Sequence, residues 1–337
     1  MNPVMEIRWG IVGPGRIANS VIGDFRHVPN GRAVAVASRS LERAQAFADK
    51  HGLERAYGSY GELFADDQVD AVYIATPHPQ HLYPALAAIR AGKAVLIEKS
   101  FAATVAGAEE IVRAARAQQV FAMEAMWTRF QPAIVAAREL IADGAIGEVR
   151  QVYADLGVDR SFDPSDRLFN LDLGGGAMLD LGVYVVSFAQ HFLGNPDRVE
   201  VSGSLAPTGV DLEAGMLLGY EDGRAAALLT SLRNSTPGMA RIHGTRGWIE
   251  VPPRFHHPSH VVLKRTGADP EVFKRRARGT GYSHELIEVS ECVLDGRTES
   301  TIMPLDDTLA VQRILNGACE TLGVHHREDE SLAYAST

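Results

Sequence analysis

The sequence is poor in cysteine, with only Cys292 and Cys319 among 337 residues. Two isolated thiols do not form a disulfide framework, so we expect both to be buried side chains rather than a disulfide pair. The chain also lacks an excess of positive charge, since 33 lysines and arginines face 42 acidic residues, a formal net charge of −9. This balance argues against a broad surface for nucleic acid or anionic membrane, so we expect neither partner.

Long apolar segments are lacking as well. The first residues show no charged region followed by an apolar run, so no signal peptide is visible. No segment approaches eighteen uninterrupted apolar residues, the length expected of a membrane-spanning helix. A composition of 46% hydrophobic and 22% charged residues is ordinary for a soluble globular protein, and we expect a cytoplasmic one. The length of 337 residues is enough for two domains of usual size.

The first motif is a glycine-rich turn between an apolar strand at residues 7–12 and a helical pattern. The turn reads GPGRIA at residues 13–18, which is G-x-G-x-x-A. Gly13 allows a tight turn, Gly15 lets a pyrophosphate approach the backbone, and Ala18 lets helix and strand pack closely. The start of such a helix also attracts phosphate through its free N–H groups. The motif therefore predicts dinucleotide binding.

The end of the next predicted strand, at residues 33–38, indicates which dinucleotide binds. NAD-binding units usually place an acid there to hold the ribose 2′-hydroxyl. This chain has Ser38-Arg39-Ser40 instead, and its next acid is Glu42. A guanidinium with hydroxyl groups binds a 2′-phosphate through charge-assisted hydrogen bonds, so we expect NADP, with NAD less favoured. The alternative is that Arg39 is only a solvated residue at a helix start.

The order of strands and helices predicts two domains. Over residues 1–127, five short apolar strands alternate with helices, which indicates an α/β domain with a parallel, doubly wound sheet. Over residues 128–337, longer alternating strands with few helices indicate an α+β domain with one large, mostly antiparallel sheet. In a parallel sheet the ligand lies beyond the carboxyl ends of the strands. The residues there that we expect to contact the cofactor are Gly13, Gly15, Arg16, Ile17, Ser38, Arg39, Thr76, Pro77, His78, His81, Glu98, Trp127 and Arg129.

Charged and aromatic side chains follow the last two predicted strands of the first domain. Lys99 ends the fourth strand, where an unpaired buried charge would be costly, and a structural salt bridge is the alternative to a catalytic role. Glu98 precedes it and is expected to orient Lys99 or the nicotinamide. Trp127 and Arg129 follow the fifth strand, where they either pack or cover the nicotinamide and its phosphates.

Asp180 and Tyr184 lie on a helix predicted over residues 177–192, after three glycines at 174–176 that predict a close approach of backbone to ligand. The two residues are four apart, so they share one helix face. A buried Asp–Tyr pair in the core is one interpretation. With Lys99 from the other domain, the trio suits alcohol oxidation. A tyrosine titrates near ~10, and a neighbouring ammonium stabilises its phenolate for use as a general base.

Two groups of histidines stand out. His78 and His81 have H-x-x-H spacing, but no cysteine or carboxylate cluster accompanies them. We therefore interpret them as lining the pocket rather than binding zinc, and we expect no metal site. His256, His257 and His260 lie among prolines and are predicted to form an exposed loop.

The large sheet predicted for the second domain has few helices to cover both of its faces. An uncovered apolar face is expected to be buried against a partner. We therefore expect a homodimer, or a dimer of dimers, formed through that sheet.

Five strings resemble the glucose–fructose oxidoreductase / inositol dehydrogenase (Gfo/Idh/MocA) family across essentially the whole chain. They are GIVGPGRIA at 10–18, ATPHPQH at 75–81, EKS at 98–100, EAMWTRF at 124–130 and GGGAMLDLGVY at 174–184. The last two are most similar to the branch that contains dimeric dihydrodiol dehydrogenase, also described as NADP-dependent D-xylose dehydrogenase.

The resemblance implies an N-terminal Rossmann domain with a parallel sheet and a C-terminal α+β domain with a large, open-faced sheet that often mediates oligomers. It also implies a catalytic lysine in an E-K-P motif, which corresponds to Lys99. Tyr184 and Asp180 match the D-x-x-x-Y pattern of this branch, where many members have D-x-x-x-H. Ser100 stands where the family usually has proline, which leaves the backbone geometry after Lys99 open.

We therefore expect an NADP-dependent oxidoreductase that acts on a small polyhydroxylated substrate, a sugar or cyclic diol. Tyr184 would accept the hydroxyl proton, Lys99 would polarise the oxygen, and Asp180 would position the pair. One alternative is glycoside cleavage with a transient redox step on a retained cofactor. The other is a non-catalytic NADP-binding sensor, which would need the glycine turn but not the three side chains.

Overall fold

The structure, a computed structural model, describes residues 6–332 and divides the chain into two compact units. Among the described residues, unit 1 comprises 6–125, Arg278–Leu309 and 327–332, and unit 2 comprises Met126–Ala277 and Ala310–His326. The first change of unit falls close to residue 127, where the sequence predicted a domain boundary. The division differs from that prediction further on, because residues 278–309 group with unit 1.

Hydrogen bonds between residues distant in the chain explain why 278–309 belong to unit 1. The carboxylate of Asp24 accepts the backbone N–H of Thr280 at 2.9 Å. The indole of Trp9 donates to the hydroxyl of Ser290 at 3.2 Å. Such pairings cannot be read from local patterns, because more than 250 residues separate the partners.

Unit 1 is built around a six-stranded parallel sheet with the strand order β3-β2-β1-β4-β5-β6. The strands are β1 (Ile7–Val12), β2 (Gly31–Ala37), β3 (Arg55–Tyr57), β4 (Ala71–Ile74), β5 (Ala94–Ile97) and β6 (Ala122–Glu124). This is the doubly wound order of dinucleotide-binding domains, which confirms the predicted parallel sheet. The sequence missed β3, because this edge strand has three half-buried residues and no apolar run.

Unit 2 contains an eight-stranded sheet with the order β14-β13-β12-β11-β7-β10-β9-β8. The strands are β7 (Val149–Gly157), β8 (Arg198–Leu205), β9 (Asp211–Gly219), β10 (Ala225–Ser231), β11 (Ala240–Gly244), β12 (Gly247–Val251), β13 (His260–Arg265) and β14 (Glu271–Lys274). Neighbouring strands are antiparallel apart from the β7–β10 pair, which confirms the mostly antiparallel sheet. The short, exposed β14 was missed.

Helices cover the parallel sheet and one face of the antiparallel sheet. They are α1 (Arg16–Val21), α2 (Leu41–His51), α3 (Tyr60–Phe64), α4 (Leu82–Arg90), α5 (Val105–Gln118), α6 (Pro132–Ala142), α7 (Val183–Leu193), α8 (Ser283–Leu294) and α9 (Leu305–Leu322). Ser40 accepts the backbone N–H of Arg43 at the start of α2. Thr104 caps α5 in the same way, so residues with short polar side chains set where these helices begin.

The faces of the unit 2 sheet differ in exposure. On β9, Met216 and Leu218 are buried, whereas Leu217 between them is 46% exposed. On β10, Leu228 is buried and Leu229 is 47% exposed. The pairing register places Leu217 and Leu229 on one face, since Leu229 lies opposite Gly215, two residues from Leu217. This face therefore carries exposed leucines.

The segment Leu171–Leu193 is long and apolar enough to cross a membrane by length and composition. However, 78% of its most apolar window is buried inside the protein, and the core helices of many proteins pass the same test. The apolar character of this segment is accounted for by its packing.

Candidate active site

The glycine turn of unit 1 has the geometry that the sequence predicted. Gly13 has a φ of +90°, a conformation that glycine adopts without strain. A Cβ on Gly13 would lie 3.1 Å from the side chain of Thr76, so the turn also packs tightly. Ala18 is fully buried where α1 crosses the sheet. By contrast, a Cβ on Gly15 would lie 3.8 Å from the Ala75 carbonyl oxygen, its nearest contact among residues 6–332, so the small size of Gly15 leaves room for a ligand.

The segment after β2 presents hydroxyl groups and a guanidinium. Ser38 is buried, and its Oγ accepts the backbone N–H of Ser40 at 3.3 Å. Arg39 is exposed between them. Burial raises the pKa of Tyr60, and the positive charge of Arg39 offsets part of this rise. The first acid after this point, Glu42, lies in the first turn of α2.

The turn after β5 holds Lys99 through its backbone. The Lys99 N–H donates to the Glu98 carboxylate at 3.2 Å, and Nε2 of His78 lies 3.2 Å from the Lys99 carbonyl oxygen. The Lys99 residue is half-buried. The peptide bond between Lys99 and Ser100 is cis, which answers the question left open by the missing proline.

His78 and His81 are fixed to the protein backbone. His81 is fully buried, with Nε2 2.7 Å from the Thr76 carbonyl oxygen and Nδ1 3.0 Å from that of Ser100. His78 is 4% exposed. Both rings therefore hold the turn that carries Lys99, and their place in the lining of the pocket stays a prediction.

Glu98 is anchored from within the sheet. The hydroxyl of Tyr73 on β4 donates to one oxygen of Glu98, and both residues are buried. Burial and the Glu98 carboxylate raise the pKa of Tyr73 well above its usual value, so this tyrosine stays a hydrogen-bond donor. Glu98 therefore orients the backbone at Lys99.

In unit 2, Asp180 and Tyr184 lie where two kinds of helix meet. The residues Met178–Gly182 form a turn of π-helix, and α7 follows, so the predicted single α-helix was wrong in its first turn. Single π turns of this kind are frequent at functional sites. Arg167 donates to Asp180 at 2.7 Å, and Trp127 Nε1 donates to the Tyr184 hydroxyl at 3.2 Å.

Two histidines that the sequence did not identify as site residues contact the rings of Tyr184 and Trp127. The centroid of the His256 ring lies 5.2 Å from that of Tyr184, and the His257 ring lies 5.2 Å from Trp127. Both histidines are half-buried, so the prediction of an exposed loop was wrong for them. Thr128 fixes the loop by donating to the His256 carbonyl at 2.9 Å. Two adjacent histidines bracketed by prolines were the available signal.

The surroundings of His257 favour the neutral form of its imidazole. Burial lowers the pKa of His257, and the positive charge of Arg254 lowers it further. The rings that contact one another here form an aromatic cluster of Trp127, Tyr184, His256 and His257.

Two glycines before the π turn, Gly175 and Gly176, lie close to other atoms of the same chain. A Cβ on Gly175 would lie 2.6 Å from the Arg167 carbonyl oxygen, and one on Gly176 would lie 2.1 Å from Asp211 Oδ1. Gly176 also has a φ of +117°. The close approach predicted for a ligand is therefore an approach to the chain's own backbone and to a buried carboxylate.

Arg129 is bound to helix α7. It is 2% exposed, its Nε donates to Ser187 at 3.2 Å, and its Nη2 donates to Gln190 at 2.5 Å. These bonds tie Arg129 to side chains of α7, and the role of covering the nicotinamide or its phosphates stays a prediction.

Both halves of the chain match known protein families. Residues 7–126 match the profile described as an oxidoreductase family with an NAD-binding Rossmann fold. Residues 134–250 match the GFO/IDH/MocA C-terminal domain. The mouse (Mus musculus) trans-1,2-dihydrobenzene-1,2-diol dehydrogenase is 37% identical over 335 residues, which cover 97% of this chain and 100% of the relative. The protein of the same name from Xenopus tropicalis is 36% identical, with 95% and 99% covered.

Solved structures give the same result. An aldose-aldose oxidoreductase from Caulobacter crescentus, complexed with glycerol, superposes with a TM-score of 0.85 at 26% identity, covering 94% of this chain and 98% of that chain. A 3-ketoreductase from Actinomadura kijaniata, in complex with NADP and TDP-benzene, superposes with a TM-score of 0.81 at 26% identity, covering 94% and 97%. Matches to both domain profiles and relatives of full length show that this chain is an oxidoreductase of the Gfo/Idh/MocA family.

Proposed function

We propose that the protein is an NADP-dependent dehydrogenase that transfers a hydride between a carbinol carbon of a sugar or cyclic diol and the nicotinamide. The observation that carries the proposal is the hydroxyl of Tyr184, held in the aromatic cluster by the indole N–H of Trp127. The names of the relatives support a diol substrate, and those of the solved structures support sugars and NADP.

Tyr184 is assigned the role of proton acceptor during alcohol oxidation. An indole N–H is only a donor, so Trp127 occupies a lone pair of the tyrosine oxygen and cannot give it a proton. A hydrogen bond to an ionised acceptor is stronger than one to a neutral acceptor, so this contact favours the phenolate. Tyr184 is 9% exposed, which keeps the contact with Trp127 largely shielded from water.

Lys99 is assigned the role of polarising the reacting oxygen. Its ammonium group would stabilise the alkoxide that develops as the proton leaves, and would support the phenolate. The His78 and Glu98 contacts fix its backbone, which restricts where the side chain can reach. Asp180 is assigned a positioning role, because its pairing with Arg167 holds the π turn that precedes Tyr184.

The residues of unit 1 fit NADP. The open space at Gly15 suits a pyrophosphate, and the start of α1 offers backbone N–H groups to it. Arg39 and Ser38 offer donors of the kind that bind a 2′-phosphate. When bound, NADP supplies the carbon that accepts the hydride.

The test is spectrophotometric detection of NADPH with a panel of aldoses, cyclic polyols and trans-dihydrodiols. We expect turnover with at least one class of diol or sugar, with NADP preferred over NAD. Cleavage of a glycoside without net NADPH formation would instead favour the transient-redox alternative. Tight NADP binding without turnover of any substrate would favour the sensor.

A further inference from the structure

Three buried side chains of unit 2 that the proposed reaction does not use lie close together. Asp211 begins β9, Cys319 lies near the end of α9, and His326 follows that helix. Their exposed fractions are 0%, 1% and 8%, respectively. One oxygen, the sulfur and one ring nitrogen all lie within 4.8 Å of one another.

The end of α9 explains how Cys319 and His326 meet. Gly323 has a φ of +81°, and its N–H donates to the Glu320 carbonyl at 3.0 Å. The N–H of Val324 donates to the Cys319 carbonyl at 2.8 Å. This pair of bonds is a Schellman motif, which ends a helix and reverses the chain. The reversal leaves His326 buried beside the helix.

Three polar atoms of this group have no hydrogen-bond partner in the part of the chain that the structure describes. Neither ring nitrogen of His326 has a hydrogen-bond partner within residues 6–332, and the same holds for Oδ1 of Asp211. Buried polar groups are nearly always satisfied, and a neutral imidazole always has one donor and one acceptor to satisfy. The other Asp211 oxygen is satisfied, since it accepts the backbone N–H of Met178 at 2.5 Å. The three unsatisfied atoms therefore all belong to the group formed by Asp211, Cys319 and His326.

We propose that Asp211, Cys319 and His326 bind a Zn²⁺ ion, with a water molecule as the fourth ligand. A carboxylate, a thiolate and an imidazole are the ligand types that zinc takes in proteins. Zinc–ligand distances of about 2.0–2.3 Å in a tetrahedral site place ligand atoms roughly 3.3–3.8 Å apart. The three ligand atoms lie within 4.8 Å of one another, so they would have to approach by at most about 1.5 Å to reach that spacing.

The charges of the three groups suit a buried divalent cation. One thiolate and one carboxylate neutralise Zn²⁺, so the occupied site carries no net charge into the interior. A neutral imidazole donates a lone pair to the ion, and zinc binding would displace the thiol proton of Cys319.

The position of this site indicates a structural role. Asp211 accepts the N–H of Met178, the first residue of the π turn, and packs against Gly176. An ion on Asp211 would thus connect the start of the Tyr184 helix with the end of α9. We expect zinc to stabilise unit 2 and not to contact substrate, because all three ligands are buried.

The first test is the metal content of the full-length protein, purified without chelators from zinc-supplemented cells and measured by plasma mass spectrometry. We expect one zinc ion per chain. Cys319→Ser and His326→Asn should lose the metal. The matched controls are Cys292→Ser, the other buried cysteine, and His325→Asn, the exposed neighbour of His326; both should retain it.

A second measurement does not depend on the variants folding. The unmodified protein is stripped with a chelator and titrated with Co²⁺, which should give a thiolate-to-cobalt charge-transfer band and the intense visible bands of tetrahedral cobalt. Added Zn²⁺ should displace the bound Co²⁺, so that these bands disappear. At a hundredfold excess over its dissociation constant, Zn²⁺ should raise the midpoint of thermal unfolding by roughly 5 °C. A protein that is isolated without zinc, and that shows neither the cobalt bands nor a shift of the midpoint, would overturn the proposal. The same holds if Cys319→Ser keeps the thiolate band.

Discussion

Replacing Tyr184 by phenylalanine separates a catalytic tyrosine from a core tyrosine. The change removes one hydroxyl and keeps the ring, so the packing of the aromatic cluster is preserved. What is lost is the acceptor for the indole N–H of Trp127, in a bond of 3.2 Å. Leaving a buried donor without that acceptor costs about 1–2 kcal/mol of folding free energy, so the variant should fold and bind NADP.

The expected effect of Tyr184→Phe on rate is larger than its effect on stability. A positioned acid–base group contributes roughly 10²–10⁴-fold to turnover, which corresponds to about 2.7–5.4 kcal/mol of activation free energy. Trp127→Phe is the matched control, since it breaks the same hydrogen bond from the other side and keeps the tyrosine hydroxyl. It should destabilise the fold at least as much and slow turnover less than Tyr184→Phe, because the oxygen that accepts the proton remains although the donor that favours its phenolate is lost.

The pH dependence of oxidation is the decisive assay. In the unmodified protein, the rate should rise with pH through an ionisation below the value near ~10 of a free tyrosine, because the phenolate is the active form. This limb should vanish in Tyr184→Phe. Lys99→Ala should cost at least as much turnover, and the loss in the double variant should be much smaller than the product of the two losses.

One outcome would refute the reasoning about Tyr184. If Tyr184→Phe oxidised substrate at a near-normal rate with the same pH limb, the tyrosine would be a core residue. The proton acceptor would then have to be sought elsewhere, with Lys99 and His78 as the next candidates.

Three further predictions concern the cofactor, the assembly and the pH dependence of stability. Arg39→Ala should reduce the preference for NADP over NAD by about 1–3 kcal/mol, the usual strength of hydrogen bonds to charged groups, and equal affinities in the unmodified protein would rule out the assignment. We propose a dimer through the leucine-bearing face of the unit 2 sheet. Leu217→Glu should therefore yield monomers in sedimentation experiments, whereas Leu41→Glu, at another exposed leucine, should not. Burial raises the pKa of Glu328 to about 7 from its ordinary 4.5, so the protonated carboxyl contributes stability that is lost as pH rises between these values. Urea unfolding should find Glu328→Gln more stable than the parent at pH 8, by about 2–3 kcal/mol, and no more stable at pH 4.

The sequence predicted those features whose causes lie within a few residues. The φ of +90° at Gly13 and the buried Ala18 follow from a six-residue motif. The fully buried strand Ala71–Ile74 follows from an uninterrupted apolar run. Both kinds of signal act on adjacent backbone, so one sequence is enough to recognise them.

The elements that the sequence missed lack such a local signal. The edge strand Arg55–Tyr57 exists because β2 offers it a pairing partner, and its own residues are only half-buried. The π turn at Met178–Gly182 is invisible to a pattern that assumes an α-helical period. In both cases the conformation depends on neighbouring elements.

The surroundings of the candidate catalytic groups were decided by tertiary structure. The motifs identified Lys99 and Tyr184, but not that His78 and His81 would hold the turn carrying the lysine. Nor did they indicate that His256 would contact the tyrosine ring, because 72 residues separate the two positions. Asp211, Cys319 and His326 meet for the same reason: a strand and the reversed end of a distant helix enclose them. Contacts of this kind depend on how whole elements pack, and packing is a property of the folded chain rather than of any short segment.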